Sequence, residues 1–310
     1  MEMKDVQGKK IFVGLSGGVD SAVSAALLKR AGAEVTGVFM KGWYPEGMPC
    51  TWAAERRDAM RVAARLQIPF ITFDASAEYK KYVVGYLLDE YRAGRTPNPD
   101  VMCNKEVKFG VFYRFAIAAG ADAIAMGHYR SGEKDQRYFL WAVPKEILAA
   151  AIFPVGHMQK EEVRKLAKKF NLPVAEKKDS QGVCFLGSVS VKEFLQRELG
   201  TGNPAILYTI GQRVEGGYVS AKNVKKKEIT VSKTRASTAR EITFTDANWH
   251  ESQELVVSAQ MRYRSARSTG FVQENRFVSD TTLAEIPAPG QSIVFYTATG
   301  ALAGGGIIVA

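Results

Sequence analysis

An apolar run, Ile11-Phe12-Val13, leads the chain directly into Gly14-Leu15-Ser16-Gly17-Gly18-Val19-Asp20-Ser21, a loop of small residues followed by a helical stretch. The succession of strand, glycine loop and helix sets the start of an α/β fold and marks a site for a nucleoside triphosphate. Backbone N–H groups unhindered by side chains can close around phosphate oxygens, and the positive end of the following helix faces them. Glycine is needed where a Cβ would block that approach. Ser16 and Ser21 add hydroxyl donors, and Asp20 can serve a metal or the turn. The Gly-Lys-Ser/Thr ending of a Walker loop is missing, and the glycine spacing is not that of a dinucleotide fold.

From Lys10 to about Gly127 short apolar runs alternate with helical periodicity, as a parallel sheet covered by helices requires. Strands are expected at 11–15, 35–40, 68–73 and 123–127, and helices at 22–30 and 56–66. Ligands of open α/β sheets bind at the carboxyl ends of the strands, so the 14–21 loop, Met40 and Gly127-His128 should converge on one crevice. Helical periodicity over 78–91 breaks at Ala93-Gly94-Arg95-Thr96-Pro97-Asn98-Pro99-Asp100, where two prolines predict a stiff, exposed loop. It resumes over 105–119, placing Cys103 near the start of a helix, whose partial positive charge favours thiolate. A charged amphipathic helix is expected at 161–170, followed by a Gly/Ser loop carrying Cys184. The polar, glycine-rich stretch 200–223 reads as a boundary. Beyond it, strands expected at 228–232, 241–244, 255–258, 270–273 and 292–296 suggest a small β-barrel.

The 42 basic residues exceed the 32 acidic ones and give a net charge of +10, which favours a polyanionic partner such as RNA. Cys50, Cys103 and Cys184 are too few for a disulfide framework and point to a reducing cytoplasm. The polar start lacks a secretion signal, and no apolar run reaches the ~18 residues of a membrane span. Cys103 follows Asp100 by three residues, a spacing that suits acid/base or thiolate chemistry. Two thiols brought together by the fold can pass sulfur by persulfide exchange. Asp100, Cys103 and Cys184 can equally ligate zinc or an iron–sulfur cluster, and spacing leaves both readings open.

The loop 14–21 resembles the SGGxDS signature of the PP-loop ATP pyrophosphatases. Further along come Arg95-Thr96-Pro97-Asn98-Pro99-Asp100-Val101-Met102-Cys103-Asn104-Lys105-Glu106-Val107-Lys108-Phe109, Met126-Gly127-His128-Tyr129, Phe153-Pro154-Val155-Gly156, Lys178-Asp179-Ser180-Gln181-Gly182-Val183-Cys184-Phe185 and Tyr208-Thr209-Ile210-Gly211-Gln212-Arg213. With Pro289-Gly290-Gln291-Ser292 and Gly304-Gly305-Gly306-Ile307-Ile308, these resemble, in order and almost end to end, the motifs of the bacterial tRNA-specific 2-thiouridylase family.

That resemblance implies an α/β PP-loop catalytic domain over 1–199, a reduced central segment over 200–227 and a tRNA-contacting C-terminal β-barrel over 228–310. It implies that ATP adenylates O2 of the wobble uridine in the tRNA anticodon, and that persulfide sulfur, supplied by a donor protein, then attacks C2. Magnesium would neutralise the departing pyrophosphate, and the target nucleotide would turn out of its stack. By position Cys184 resembles the persulfide carrier, Cys103 its catalytic partner and Asp100 the acid/base, with Asn98, Pro99 and Asp100 meeting the target base. Gly14, Leu15, Ser16, Gly17, Gly18, Val19, Asp20, Ser21, Met40 and Gly127 resemble the ATP contacts. Lys134-Asp135-Gln136 and Arg262-Tyr263 resemble tRNA contacts. On residue type alone, basic and aromatic alternation of the latter kind also fits a solvated strand face, and His128 reads as a packed, hydrogen-bonded core residue.

Three departures bear on the RNA-facing surfaces. The hairpin after Tyr129 is short, most of the central domain expected between Leu199 and Tyr208 is absent, and Val214-Glu215-Gly216-Gly217 replaces the family's KGLG. A paralogue acting on another RNA and an RNA-binding relic without catalysis are the alternatives. A PP-loop amidotransferase or synthetase is disfavoured because nothing supplies a glutaminase.

Overall fold

The computed structural model describes residues 3–47, 51–129, 135–178, 189–200 and 202–309. Two compact units emerge. The first comprises Met1–Lys81, Cys103–Arg137 and Val143–Val189, the second Tyr82–Met102, Tyr138–Ala142 and Ser190–Ala310.

In the first unit, β1 (Lys10–Gly14), β2 (Glu34–Lys41), β3 (Phe70–Asp74), β4 (Ala123–Ala125) and β5 (Ala151–Ile152) form a parallel sheet in the order β3-β2-β1-β4-β5. The connection after β3 jumps across β1, so the sheet switches direction between β1 and β4, which pair Val13 with Ala125. Ligand crevices of such sheets open outside the carboxyl ends of the strands flanking that switch. Strands β1 to β4 fall within two residues or so of the expected spans, whereas the two-residue β5 is too short to leave a pattern.

The helix after the glycine loop starts at Val19, three residues before the expected position, and buries Val19, Ala22, Val23, Ala25, Ala26 and Leu28. Ala-rich faces let it sit close to the sheet, in a core with Ile11, Val13, Val35 and Ile152. Ile68-Pro69 ends the helix Trp52–Leu66, with Gln67 left-handed at φ 49°.

In the second unit, β6 (Arg213–Val214), β7 (Gly217–Asn223) and β8 (Glu228–Ser232) make a three-stranded antiparallel sheet. Strand 228–232 therefore pairs with β7, not with the barrel, because its register from Tyr218↔Ser232 to Asn223↔Glu228 is set by the tight turn between them. The strands β9 (Glu241–Trp249), β10 (Val256–Gln260), β11 (Ser268–Gln273), β12 (Arg276–Ser279), β13 (Ser292–Thr297) and β14 (Leu302–Ile308) close into a barrel, in the order β10-β11-β12-β9-β14-β13. Phe244, Phe277 and Phe295 fill it, and Trp249 stacks on Phe295 with centroids 5.1 Å apart. Strand β14 escapes sequence reading because Gly304-Gly305-Gly306 lacks strand propensity. A Cβ on Gly305 would lie 2.6 Å from the Trp141 ring, so the glycines admit that ring onto the strand.

Residues 93–100 correct the expectation of an exposed loop. Thr96 and Pro97 are buried, and a helix already begins at Pro99. Proline suits the first helical position, where no N–H partner is required. The helix continues from Pro99–Met102 into a π-helical stretch, Cys103–Val111, so Cys103 occupies the second turn and is buried, away from the helix start assumed for it.

Candidate active site

The loop between β1 and its helix has few side chains to obstruct it. Gly17 takes φ 75°, and a Cβ there would lie 2.4 Å from the Glu55 carbonyl oxygen. Internal hydroxyl bonds set its shape. The Ser16 N–H donates to Ser21 Oγ (3.3 Å), the Gly18 N–H to Ser16 Oγ (3.3 Å), and Ser21 Oγ–H to the Gly18 carbonyl (3.1 Å). Gly18 caps the helix without a side-chain acceptor, so the first-turn N–H groups remain directed at the crevice. At the end of β4, a Cβ on Gly127 would meet the Ser21 backbone nitrogen at 2.8 Å, and glycine is what lets the two segments close. Met40 and Met126 flank Gly14, each within about 3 Å of where its Cβ would be. The structure thus brings the 14–21 loop, Met40 and Gly127 together.

Two lysines that sequence reasoning missed belong to this cradle. Lys160 Nζ donates to both carboxylate oxygens of Asp20, at 2.7 and 2.8 Å, and lies 5.0 Å from the centroid of the Tyr129 ring. Lys177 Nζ donates to the Gly17 carbonyl (3.1 Å) and to Asp58 (2.7 Å). Both ammonium groups stand at the loop that a triphosphate would occupy. The sequence signal was one basic residue at a helix start and another in a loop, which charge patterning cannot distinguish from solvated ones. Asp20 is accordingly an ion-pair partner within the first helical turn.

Beside the cradle, His128 Nε2 lies 3.1 Å from Asn104 Oδ1, joining the residue after Gly127 to the residue after Cys103. The imidazole is half-buried and packs against Phe109 and Phe153, as expected of a packed residue, while its Nδ1 is buried without a partner. Desolvation, then the charge of Lys108, lowers its pKa to about 3, so the ring is neutral at physiological pH. π-Helical turns such as Cys103–Val111 concentrate at functional sites.

In the second unit, Asn98 hydrogen-bonds the buried Tyr138 phenol, whose oxygen is also 3.2 Å from the Ser292 carbonyl. Asn98, Pro99 and Asp100 lie on one short turn at the helix start. Of the expected tRNA contacts, Asp135 accepts from the Arg137 guanidinium, and Gln136 Oε1 accepts the Tyr129 N–H at 3.1 Å. Arg262 is held by Glu285 (3.3 Å) and by the Ile210 carbonyl (2.6 Å), while Tyr263 packs on Phe139 at 4.6 Å. Arg264, exposed and left-handed at φ 67°, stacks its guanidinium on Tyr263. Cys184, Cys50 and Lys134 lie outside the described residues. Among the described residues no group of three or more His, Cys, Asp or Glu side chains could hold a metal ion, and no helix is long and apolar enough to cross a membrane.

A glycine loop leading into an uncapped helix at a sheet switch point, with two lysines on the loop, defines a nucleotide-binding α/β protein of the PP-loop kind. A family model described as tRNA methyl transferase HUP domain matches residues 9–188. Proteins named tRNA-specific 2-thiouridylase MnmA are similar along the whole chain. The one from Streptococcus thermophilus is 38% identical over 362 aligned positions, covering 99% of this chain and 96% of that protein. The one from Akkermansia muciniphila is 39% identical, covering 96% and 98%. A third, from Christiangramia forsetii, is 50% identical over 214 residues, 62% of this chain and 54% of that protein. The chain belongs to this 2-thiouridylase family. An alignment of 362 positions exceeds the 310 residues available, so the streptococcal relative carries residues that this chain lacks. Among solved structures, U34-tRNA thiolase NcsA from Methanococcus maripaludis aligns over 66% of this chain and 70% of that one, at 21% identity and a TM-score of 0.41, too distant to add to the assignment.

Proposed function

We propose that this chain is an ATP-dependent tRNA 2-thiouridylase of the cytoplasm, converting the wobble uridine to 2-thiouridine. The observation that carries the reading is the phosphate cradle itself, in a chain whose relatives, matched nearly end to end, bear that name. The N–H groups of the 14–21 loop and the ammonium groups of Lys160 and Lys177 hold the triphosphate, with Met40 and Gly127 beside it. Magnesium, brought by the nucleotide, supplies charge neutralisation on the phosphates.

In the first step, O2 of the uridine attacks the α-phosphorus, and the bond to the bridging oxygen breaks to release pyrophosphate. Asp100 takes or returns the proton that accompanies this change, and Asn98 and Pro99 meet the base. In the second step the terminal sulfur of a Cys184 persulfide attacks C2, and AMP leaves. Attack of the Cys103 thiolate on the Cys184 sulfur then releases the thio-base. Sulfane sulfur gains two electrons in this exchange, which come from the two thiols and leave them joined as a disulfide. A dithiol reductant reopens it, and a persulfide-bearing donor protein reloads Cys184.

The reading predicts that Cys103→Ser and Cys184→Ser each abolish 2-thiouridine, measured by mass spectrometry of tRNA nucleosides, while ATP binding persists. Retained thiolation in both single variants would end it. Iron content of anaerobically purified protein separates the persulfide route from a cluster on the same residues.

A further inference from the structure

The sequence motif Pro289-Gly290-Gln291 has no place in the chemistry above, yet its structure ties it to the segment proposed to meet the base. Gln291 Nε2 donates to two successive carbonyls, those of Thr96 (2.8 Å) and Pro97 (3.2 Å). The Thr96 N–H in turn donates to the Pro289 carbonyl at 2.8 Å. Between them Gly290 takes φ 91°, and a Cβ there would lie 2.9 Å from the Thr96 nitrogen and from Arg95 Cβ. No other residue type permits both the dihedral and the approach.

The turn is itself pinned to the barrel. The Gly290 N–H donates to the Ile308 carbonyl and the Ile308 N–H to the Gln291 carbonyl, both at 2.8 Å. Tyr138 fixes the same segment from its other end through the Asn98 side chain.

We propose that Gln291 is a positioning residue for the reaction, its amide and the Pro289-Gly290 turn clamping residues 96–98 so that Asn98, Pro99 and Asp100 are presented in a single conformation. The proposal rests on the reading that these three meet the target base. Its physical basis is the composition of the segment. Pro97 and Pro99 have no N–H, so carbonyl oxygens are the handles by which this backbone can be held. A primary amide has two N–H donors suited to adjacent carbonyls, whereas a carboxylate there would repel them. Displacing a substrate-positioning group by about 1 Å costs roughly 10²-fold in rate.

The test uses the full-length chain with Gln291→Ala and Gln291→Glu, and Gln291→Met should the alanine variant not fold. Amide hydrogen exchange over 95–100 is expected to accelerate at least tenfold. The single-turnover thiolation rate at saturating ATP and tRNA is expected to fall about 10- to 100-fold, with ATP affinity within twofold of the parent. In an Asn98→Ala background the Gln291 substitution should cost little more. Unchanged exchange over 95–100 in a folded variant, or a parental rate in Gln291→Glu while Asn98→Ala is impaired, would overturn the clamp. Parental rates in Asn98→Ala itself would instead remove the functional reading of the segment, leaving the exchange result to decide whether Gln291 holds it.

Discussion

Lys160 Nζ engages both carboxylate oxygens of Asp20, at 2.7 and 2.8 Å, across 140 residues of sequence. The pair sits at the first turn of the helix that faces the crevice, with side chains only 12% and 24% exposed. An ammonium so placed opposes the helix dipole unless an anion arrives, and a triphosphate is such an anion. The carboxylate keeps the charge in place until then.

Replacing Lys160 by Met should therefore weaken ATP binding about 10- to 100-fold, or roughly 1.4–2.7 kcal/mol. Calorimetric titration of the protein with ATP in the absence of tRNA measures this. An unaltered dissociation constant would make Lys160 a strut for Asp20 and nothing more.

Gly127→Ala places a methyl group 2.8 Å from the Ser21 nitrogen and 3.0 Å from the Asp20 carbonyl carbon. Overpacking of this kind costs about 1–3 kcal/mol. Because the strain falls on the helix N-terminus, ATP affinity should drop more than tenfold, alongside a lower urea midpoint. Parental affinity in this variant would show that the close approach is not part of the nucleotide site.

His128 provides a pH signature. Its pKa is lowered in the fold from 6.5 to about 3, mainly by burial. The unfolded chain thus takes up the proton first as pH falls, and the stabilisation from keeping the ring neutral, complete above pH 6.5, declines progressively toward pH 3. In His128→Gln the fall of Tm between pH 6.5 and 4 should be shallower than in the parent. Parallel curves would mean that the ring is solvated or charged.

Arg262 tests structure against RNA contact. Its guanidinium serves the Ile210 carbonyl and Glu285, so Arg262→Ala takes the donor from that carbonyl and leaves Glu285 paired with Arg235 alone, at 3.0 Å. The expected loss is about 1–3 kcal/mol of stability, with the salt dependence of tRNA binding unchanged. A salt slope smaller by about 1 would show that a phosphate contact was lost instead.

The parallel sheet and its glycine loop were legible because each strand and helix writes its own period into consecutive residues. The same holds for β8 and for β9, β10, β11 and β13 of the barrel, whereas β7 lies in the polar, glycine-rich stretch 200–223 that reads as a boundary. What was misread follows from local signals overridden by packing. Two prolines at 97 and 99 look like an exposed loop, but Thr96 and Pro97 are buried against the turn that Gln291 closes, and Pro99 opens a helix. Three glycines in β14 look like a turn, but they make room for Trp141 and Phe244.

Taken alone, the residue order determined the fold class, the phosphate loop and the family to which the chain belongs, since all three reside in short contiguous patterns. Only the tertiary structure decided that Lys160 faces Asp20, that Lys177 reaches Gly17 across 160 residues and that Gln291 holds Thr96 across 195. Hydrogen bonds between such distant groups depend on how the chain closes on itself. They leave no periodicity or spacing in the sequence from which to read them.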